Sequence, residues 1–273
     1  MPQVEINGAA YHYHRQGTGP PLLLLHGFTG SSESWAGIAE SLAGANHVLS
    51  IDLLGHGKSE RPASADRYCI EQASRDVTTL AEKVGFEQFS LLGYSMGGRL
   101  ALYVAYRYPK LIDKLILESA SPGIADAADR VERRRLDGDL ANRIERNGID
   151  AFVNQWERLP LFASQATAAQ SQIASQREQR LRNDPGGLAD SLRGMGTGSQ
   201  PSLWGELAVM TCPALLLCGE LDSKYVGIAR EMAGLMPYSR LEIVPGSGHN
   251  IHFERPSLFT AVVSSFLNQE VQP

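Results

Sequence analysis

Phe89-Ser90-Leu91-Leu92-Gly93-Tyr94-Ser95-Met96-Gly97-Gly98-Arg99-Leu100-Ala101-Leu102-Tyr103-Val104-Ala105 decides the reading of this chain. Its opening, 89–92, is an apolar run too short for a helix, whereas 98–108 keeps apolar residues at helical spacing and stops at Pro109. Between the two lies Gly-x-Ser-x-Gly, so a strand is predicted to turn sharply into a helix with Ser95 at the bend. Such a turn strains the serine backbone, and the glycines beside it keep bulk away so that the hydroxyl projects at the sheet edge.

Outward from that turn the same rhythm continues in both directions. Residues 3–6 and 9–15 flank Asn7-Gly8, a pair that tolerates positive φ, and read as antiparallel edge strands. The unbroken apolar run 20–25, ending at His26-Gly27-Phe28, suits a strand covered on both faces. Helices are predicted over 34–42, 71–84, 226–236 and 256–267, and strands over 47–51, 115–117, 213–218 and 240–244. The result is an α/β chain with a mostly parallel eight-stranded sheet flanked by helices. From 121 to 205 the alternation breaks into Arg-, Gln- and Ala-rich sequence at helical spacing. The expected organisation is a core of 1–120 and 206–273 with a helical cap inserted at 121–205.

Composition narrows the function. A chain of 273 residues, 43% apolar and 20% charged, has length for one large core and an excursion. Its net charge of −5 comes without a sustained Lys/Arg face, which excludes a nucleic-acid partner and favours a small molecule. Cys69, Cys212 and Cys218 have neither zinc-site spacing nor an even count for a disulfide framework. No signal peptide or membrane span is read in the sequence, so the expected location is cytoplasmic.

A serine hydroxyl needs a base, and the base needs an orienting acid. Asp222 follows the strand predicted at 213–218, and His249 follows that at 240–244 within Gly246-Ser247-Gly248-His249. Both sit at strand carboxyl ends, the edge where open parallel sheets build their sites. Glu220 is the alternative orienter and His252 the competing histidine, the latter expected at the surface or facing the cap. The histidines at 12, 14, 26, 47 and 56 precede Ser95, and His26 and His56 are expected to orient loops. The backbone N–H groups of Phe28 and Met96 are candidates for an oxyanion hole, each such donor contributing about 3 kcal/mol in a transition state. Arg99, one helical turn after Ser95, is expected beneath the serine and facing the pocket.

Five stretches, LLLHGFTGSSESW, DLLGHGKSERP, LLGYSMGGRLALYVA, LLLCGELDSKY and PGSGHNIHFERP, resemble the α/β-hydrolase superfamily over nearly the whole chain. Within it, GYSMGGR, DRVERRRLD, LPLF, MGTGSQPSLW and GELDSKY resemble the 2-succinyl-6-hydroxy-2,4-cyclohexadiene-1-carboxylate synthases of menaquinone and phylloquinone biosynthesis. That resemblance implies a lyase that eliminates pyruvate from a small anionic substrate with several carboxylates, without metal or organic cofactor. It also implies substrate-binding roles for Tyr94, Arg99, Arg133, Trp156 and Arg177. Three alternatives stay open: an ester or carbon-carbon bond hydrolase with the same triad, Ser95 acting as nucleophile instead of base, and a binding protein that lost the chemistry.

Overall fold

The computed structural model describes residues 2–269 and folds the predicted alternation into one eight-stranded sheet. β1 (Gln3–Ile6) and β2 (Ala9–Gln16) form the hairpin, closed by Asn7 at φ 50° and Gly8 at φ 76°. They are followed by β3 (Pro21–Leu25), β4 (His47–Ile51), β5 (Phe89–Tyr94), β6 (Ile112–Glu118), β7 (Ala214–Gly219) and β8 (Ser239–Val244). The spatial order is β1-β2-β4-β3-β5-β6-β7-β8, antiparallel at β1/β2 and β2/β4 and parallel thereafter. After β3 the chain moves to β4 on one side; after β4 it crosses back to β5 on the other. The crevice at the carboxyl ends of β3 and β5 is therefore the switch point, where the following loops diverge and leave room for a ligand.

Period-two alternation divides the strand side chains between two cores. Leu23, Leu25, Leu49, Leu91 and Leu117 pack on one face beneath α2 (Ile70–Lys83) and α3 (Met96–Arg107). Leu22, Leu24, Val48, Leu92 and Ile116 pack on the other with Phe259 and Val263.

Helix α3 begins at Met96, two residues earlier than its apolar periodicity indicates, because Gly97 and Gly98 join its first turn. Glycine is a poor helix former, so tertiary contact is the reason. A Cβ at Gly97 would overlap the Leu25 carbonyl oxygen and stand 2.5 Å from that of His26. Only a bare backbone lets this helix descend onto the end of β3.

Among the described residues no strand occurs between β6 and β7. That stretch holds α4 (Ala127–Trp156), broken at Gly148 with φ 79°, then α5 (Gln170–Leu181) and α6 (Pro185–Met195). Ala141, Ile144, Phe152, Val153, Leu188 and Leu192 form a separate small core there. Phe28, from the loop after β3, and Trp156 pack against it. No helix among the described residues is long and apolar enough to cross a membrane.

Candidate active site

Ser95 stands at φ 50° and ψ −106°, a conformation costing about 1–3 kcal/mol for a non-glycine residue. The chain holds it there because Gly93 carries no Cβ to strike the Gly97 carbonyl and because the Ser95 N–H donates to Glu118 O of β6 at 2.9 Å. Ser95 Oγ lies 3.0 Å from His249 Nε2, and His249 Nδ1 lies 2.6 Å from Asp222 Oδ2. An ionised carboxylate only accepts, so Nδ1 carries the proton and Nε2 is left to accept from the serine hydroxyl. Both partners are buried, which keeps water from competing for these bonds.

Asp222 reaches the histidine because β7 ends in Gly219, whose missing Cβ admits the carbonyls of Ser247 and Gly248. Glu220 turns elsewhere and accepts the Gly246 N–H at 3.0 Å. His252 departs from expectation. It is buried, its Nδ1 lies 2.6 Å from Glu118 Oε2, and its ring lies 4.1 Å from that of Trp35. Residues 251–254 are helical, so one turn swings the side chain of His252 back over the sheet instead of outward.

The amides of Phe28 and Met96 flank the switch point, and neither has an acceptor among the described residues. The loop that carries Phe28 is held by a buried neutral histidine. His26 Nδ1 donates to Gly27 O at 2.8 Å and its Nε2 accepts from Leu53 N at 3.0 Å, so both nitrogens hold loops. Burial lowers the pKa of His26, and burial, with His26 beside it, pushes His56 down to about 3. In the unfolded chain both titrate near 6.5, so below that pH the unfolded state binds more protons. Their contribution to stability is complete above about pH 6.5 and is lost as the pH falls towards 3. Thermal unfolding across that window is expected to show the midpoint falling with acidity, with a shallower slope in His56→Gln. Identical slopes would remove His56 from this account.

Ser95 opens into a cavity of about 180 Å³ lined by Arg99, Arg133, Trp156, Phe162, Lys224 and Tyr225, together with Phe28, Tyr94 and Met96. A larger chamber of about 400 Å³ adjoins it and shares Phe28, Tyr94 and Phe162. Arg99 is buried, with its guanidinium donating to Gln200 Oε1 at 2.7 Å and to Met195 O at 2.9 Å. Among the described residues it has no carboxylate partner. Burial lowers its pKa to about 10, still far enough above neutrality to keep the charge. Arg133 pairs with buried Asp137 at 2.8 Å. The Trp156 ring lies 5.4 Å from those of Phe28 and Phe152, and its indole N–H is buried without an acceptor among the described residues.

Arg177 is not brought to either cavity. It donates to Glu157 at 2.5 Å and to Asn154 at 2.6 Å, both at the end of α4. Arg180, one turn further, is buried over the Phe162 ring at 5.4 Å and lines the larger chamber. The two arginines are three residues apart on a helix whose apolar periodicity is weak, so spacing alone does not select between them. Tyr225 and Lys224 also line the serine's cavity, within the GELDSKY stretch that carries Asp222.

A serine, histidine and acid joined by hydrogen bonds at the carboxyl edge of a doubly wound sheet define the class: an enzyme built around an activated serine hydroxyl. Comparison with known proteins agrees and narrows it. The family model for the alpha/beta hydrolase fold matches residues 20–256. A Bacillus subtilis protein named as a 2-succinyl-6-hydroxy-2,4-cyclohexadiene-1-carboxylate synthase is 44% identical over 90% of this chain and 89% of its own. The synthase of that name from Serratia proteamaculans is 33% identical over 91% and 93%. The structure of MenH from S. aureus superposes with a TM-score of 0.88 at 38% identity, covering 94% of this chain and 97% of that one. The chain belongs to the α/β-hydrolase fold family and, within it, to the 2-succinyl-6-hydroxy-2,4-cyclohexadiene-1-carboxylate synthases.

Proposed function

We propose that this enzyme is a carbon-oxygen lyase that eliminates pyruvate from 2-succinyl-5-enolpyruvyl-6-hydroxy-3-cyclohexene-1-carboxylate, leaving 2-succinyl-6-hydroxy-2,4-cyclohexadiene-1-carboxylate. The observation that carries the reading is Arg99: a buried guanidinium one helical turn from Ser95, facing its cavity, without a carboxylate partner among the described residues. A cation desolvated at a cost of several kcal/mol and left without a counter-ion suits a ligand that brings the anion. The planar fork of arginine matches a carboxylate in two bonds. Arg133, paired with Asp137, and Arg180, paired with Glu157 at 3.2 Å, add guanidinium groups to the lining, and the Trp156 N–H, without an acceptor among the described residues, supplies a further donor. Tyr94 walls both chambers, so a substrate with several carboxylates spans them against its ring.

In this scheme His249 takes the hydroxyl proton of Ser95 as Ser95 Oγ removes the proton from the ring carbon bearing the succinyl group. Negative charge develops on the succinyl carbonyl oxygen, where the amides of Phe28 and Met96 donate to it. The ring double bond shifts and the carbon-oxygen bond to the enolpyruvyl group breaks. The leaving enolate takes a proton and becomes pyruvate. Asp222 holds His249 in the required tautomer and balances its positive charge. Residues 121–205 act as a cap over a core of 1–120 and 206–273, supplying Arg133, Trp156 and Arg180 to a site whose chemistry is on the sheet.

Pyruvate formation from the enolpyruvyl substrate, followed by its reduction with lactate dehydrogenase, tests this directly. Turnover well above that of Ser95→Ala is expected. Efficient hydrolysis of simple aryl esters together with no pyruvate would replace the lyase by a hydrolase.

A further inference from the structure

Glu118 is wholly buried at the end of β6, yet the reaction just described gives it no part. A buried carboxylate is expensive unless it is hydrogen-bonded, and a leucine would fill the same core more cheaply. Its bonds show what the carboxylate adds. The Glu118 backbone carbonyl accepts the Ser95 N–H at 2.9 Å. Its Oε1 accepts the His252 N–H at 3.0 Å, and its Oε2 accepts the His252 Nδ1–H at 2.6 Å. One residue thereby grips the nucleophile's turn through its main chain and, through its side chain, the first turn of α8 (Ile251–Glu254). That turn follows His249 by two residues.

The catalytic histidine's loop is tied to α8 also by the Gly248 N–H, which donates to Glu254 Oε2 at 2.7 Å, and towards β7 by the Gly246 N–H, which donates to Glu220 Oε2 at 3.0 Å. On the β7 side it is held through Asp222 and through the Leu221 N–H bond to Ser247 O at 2.9 Å. On the β5 and β6 side the Glu118–His252 pair is the matching anchor. The His252 ring is itself clamped, 4.1 Å from Trp35 and 4.9 Å from Tyr94, and the Tyr94 ring lies 5.4 Å from that of His249. From these contacts we infer that Glu118 and His252 are positioning residues that set the Ser95–His249 hydrogen bond. This inference rests on the proposed triad; it holds for whatever substrate that triad serves.

The test separates a brace from plain packing. His252→Phe keeps a ring between Trp35 and Tyr94 but removes the Nδ1–H donor to Glu118. His252→Asn restores a donor at nearly the same place. Misplacing reacting groups by about 1 Å costs on the order of 10²-fold. In His252→Phe, kcat for pyruvate release and the rate of Ser95 labelling by a fluorophosphonate are therefore expected to fall by about 10- to 100-fold, with KM within about twofold. In His252→Asn both rates are expected to recover to within about fivefold of the wild type.

A folded His252→Phe protein with both rates within about twofold of wild type, even with a lowered unfolding midpoint, would overturn the inference and leave the pair as packing. Should that variant not fold, Glu118→Gln, which keeps the volume and one acceptor, is judged by the same criterion. Wild-type protein that labels but releases no pyruvate rejects the lyase reading alone, and the brace is then decided on labelling rates. Wild-type protein that does neither rejects both.

Discussion

Ser95→Ala is expected to lower kcat for pyruvate release by about 10⁴-fold or more while leaving the fold and substrate binding intact. The hydroxyl is the hydrogen-bond partner of His249 Nε2, at 3.0 Å, and it stands on a turn strained to φ 50° to be there. Alanine keeps the backbone bond to Glu118 O, since that bond uses the Ser95 N–H. The arginines are untouched as well. Groups that act as a unit are strongly non-additive, so His249→Ala should cost a similar factor and the double variant little more. Stopped-flow or coupled assays of kcat, with equilibrium binding of a product-like dicarboxylate, check both halves. A Ser95→Ala enzyme retaining more than about a hundredth of the wild-type rate would mean that His249 takes the carbon-bound proton itself.

The core of the site was legible from the sequence because its constraints are local. Gly93 and Gly97 are demanded by contacts with the Gly97 and Leu25 carbonyls, and a glycine is visible in any sequence. Asp222 announces itself by following an apolar run that only fits a buried strand, and His249 by its glycine-rich approach after the half-exposed strand at the sheet edge. Phe28 and Met96 follow from the same logic, lying within three residues of the ends of two strands that meet at the switch point. What was not legible depends on side-chain direction across long separations. His252 and Glu118 are 134 residues apart, and no local pattern joins an acid at a strand end to a histidine in a later helix. Arg177 and Arg180 share a helix whose polar sequence gives no inward face and both pair with Glu157, so it is the Phe162 ring under Arg180 that distinguishes the one that turns in.

Arg99→Met is expected to separate binding from stability. Loss of a guanidinium-carboxylate pair removes hydrogen bonds worth about 1.5–3 kcal/mol each, so kcat/KM should fall by about 10²-fold or more, mostly through KM. Stability should move little, and the reason lies in what surrounds the group. Removing one member of a buried ion pair strands its partner and costs about 3–5 kcal/mol. Among the described residues Arg99 has no acidic partner to strand; it leaves behind the neutral acceptors Gln200 Oε1 and Met195 O. Their lost bonds, about 1–3 kcal/mol, are opposed by the relief of no longer burying a cation, and methionine fills most of the volume. Arg99→Lys should rescue poorly, because a single ammonium cannot reproduce the two-pronged contact. Thermal unfolding and substrate titration of the same preparations are the measurement. A large drop in the midpoint with KM unchanged would make Arg99 a strut of the helix, and the anionic-substrate reading would lose the observation that carries it.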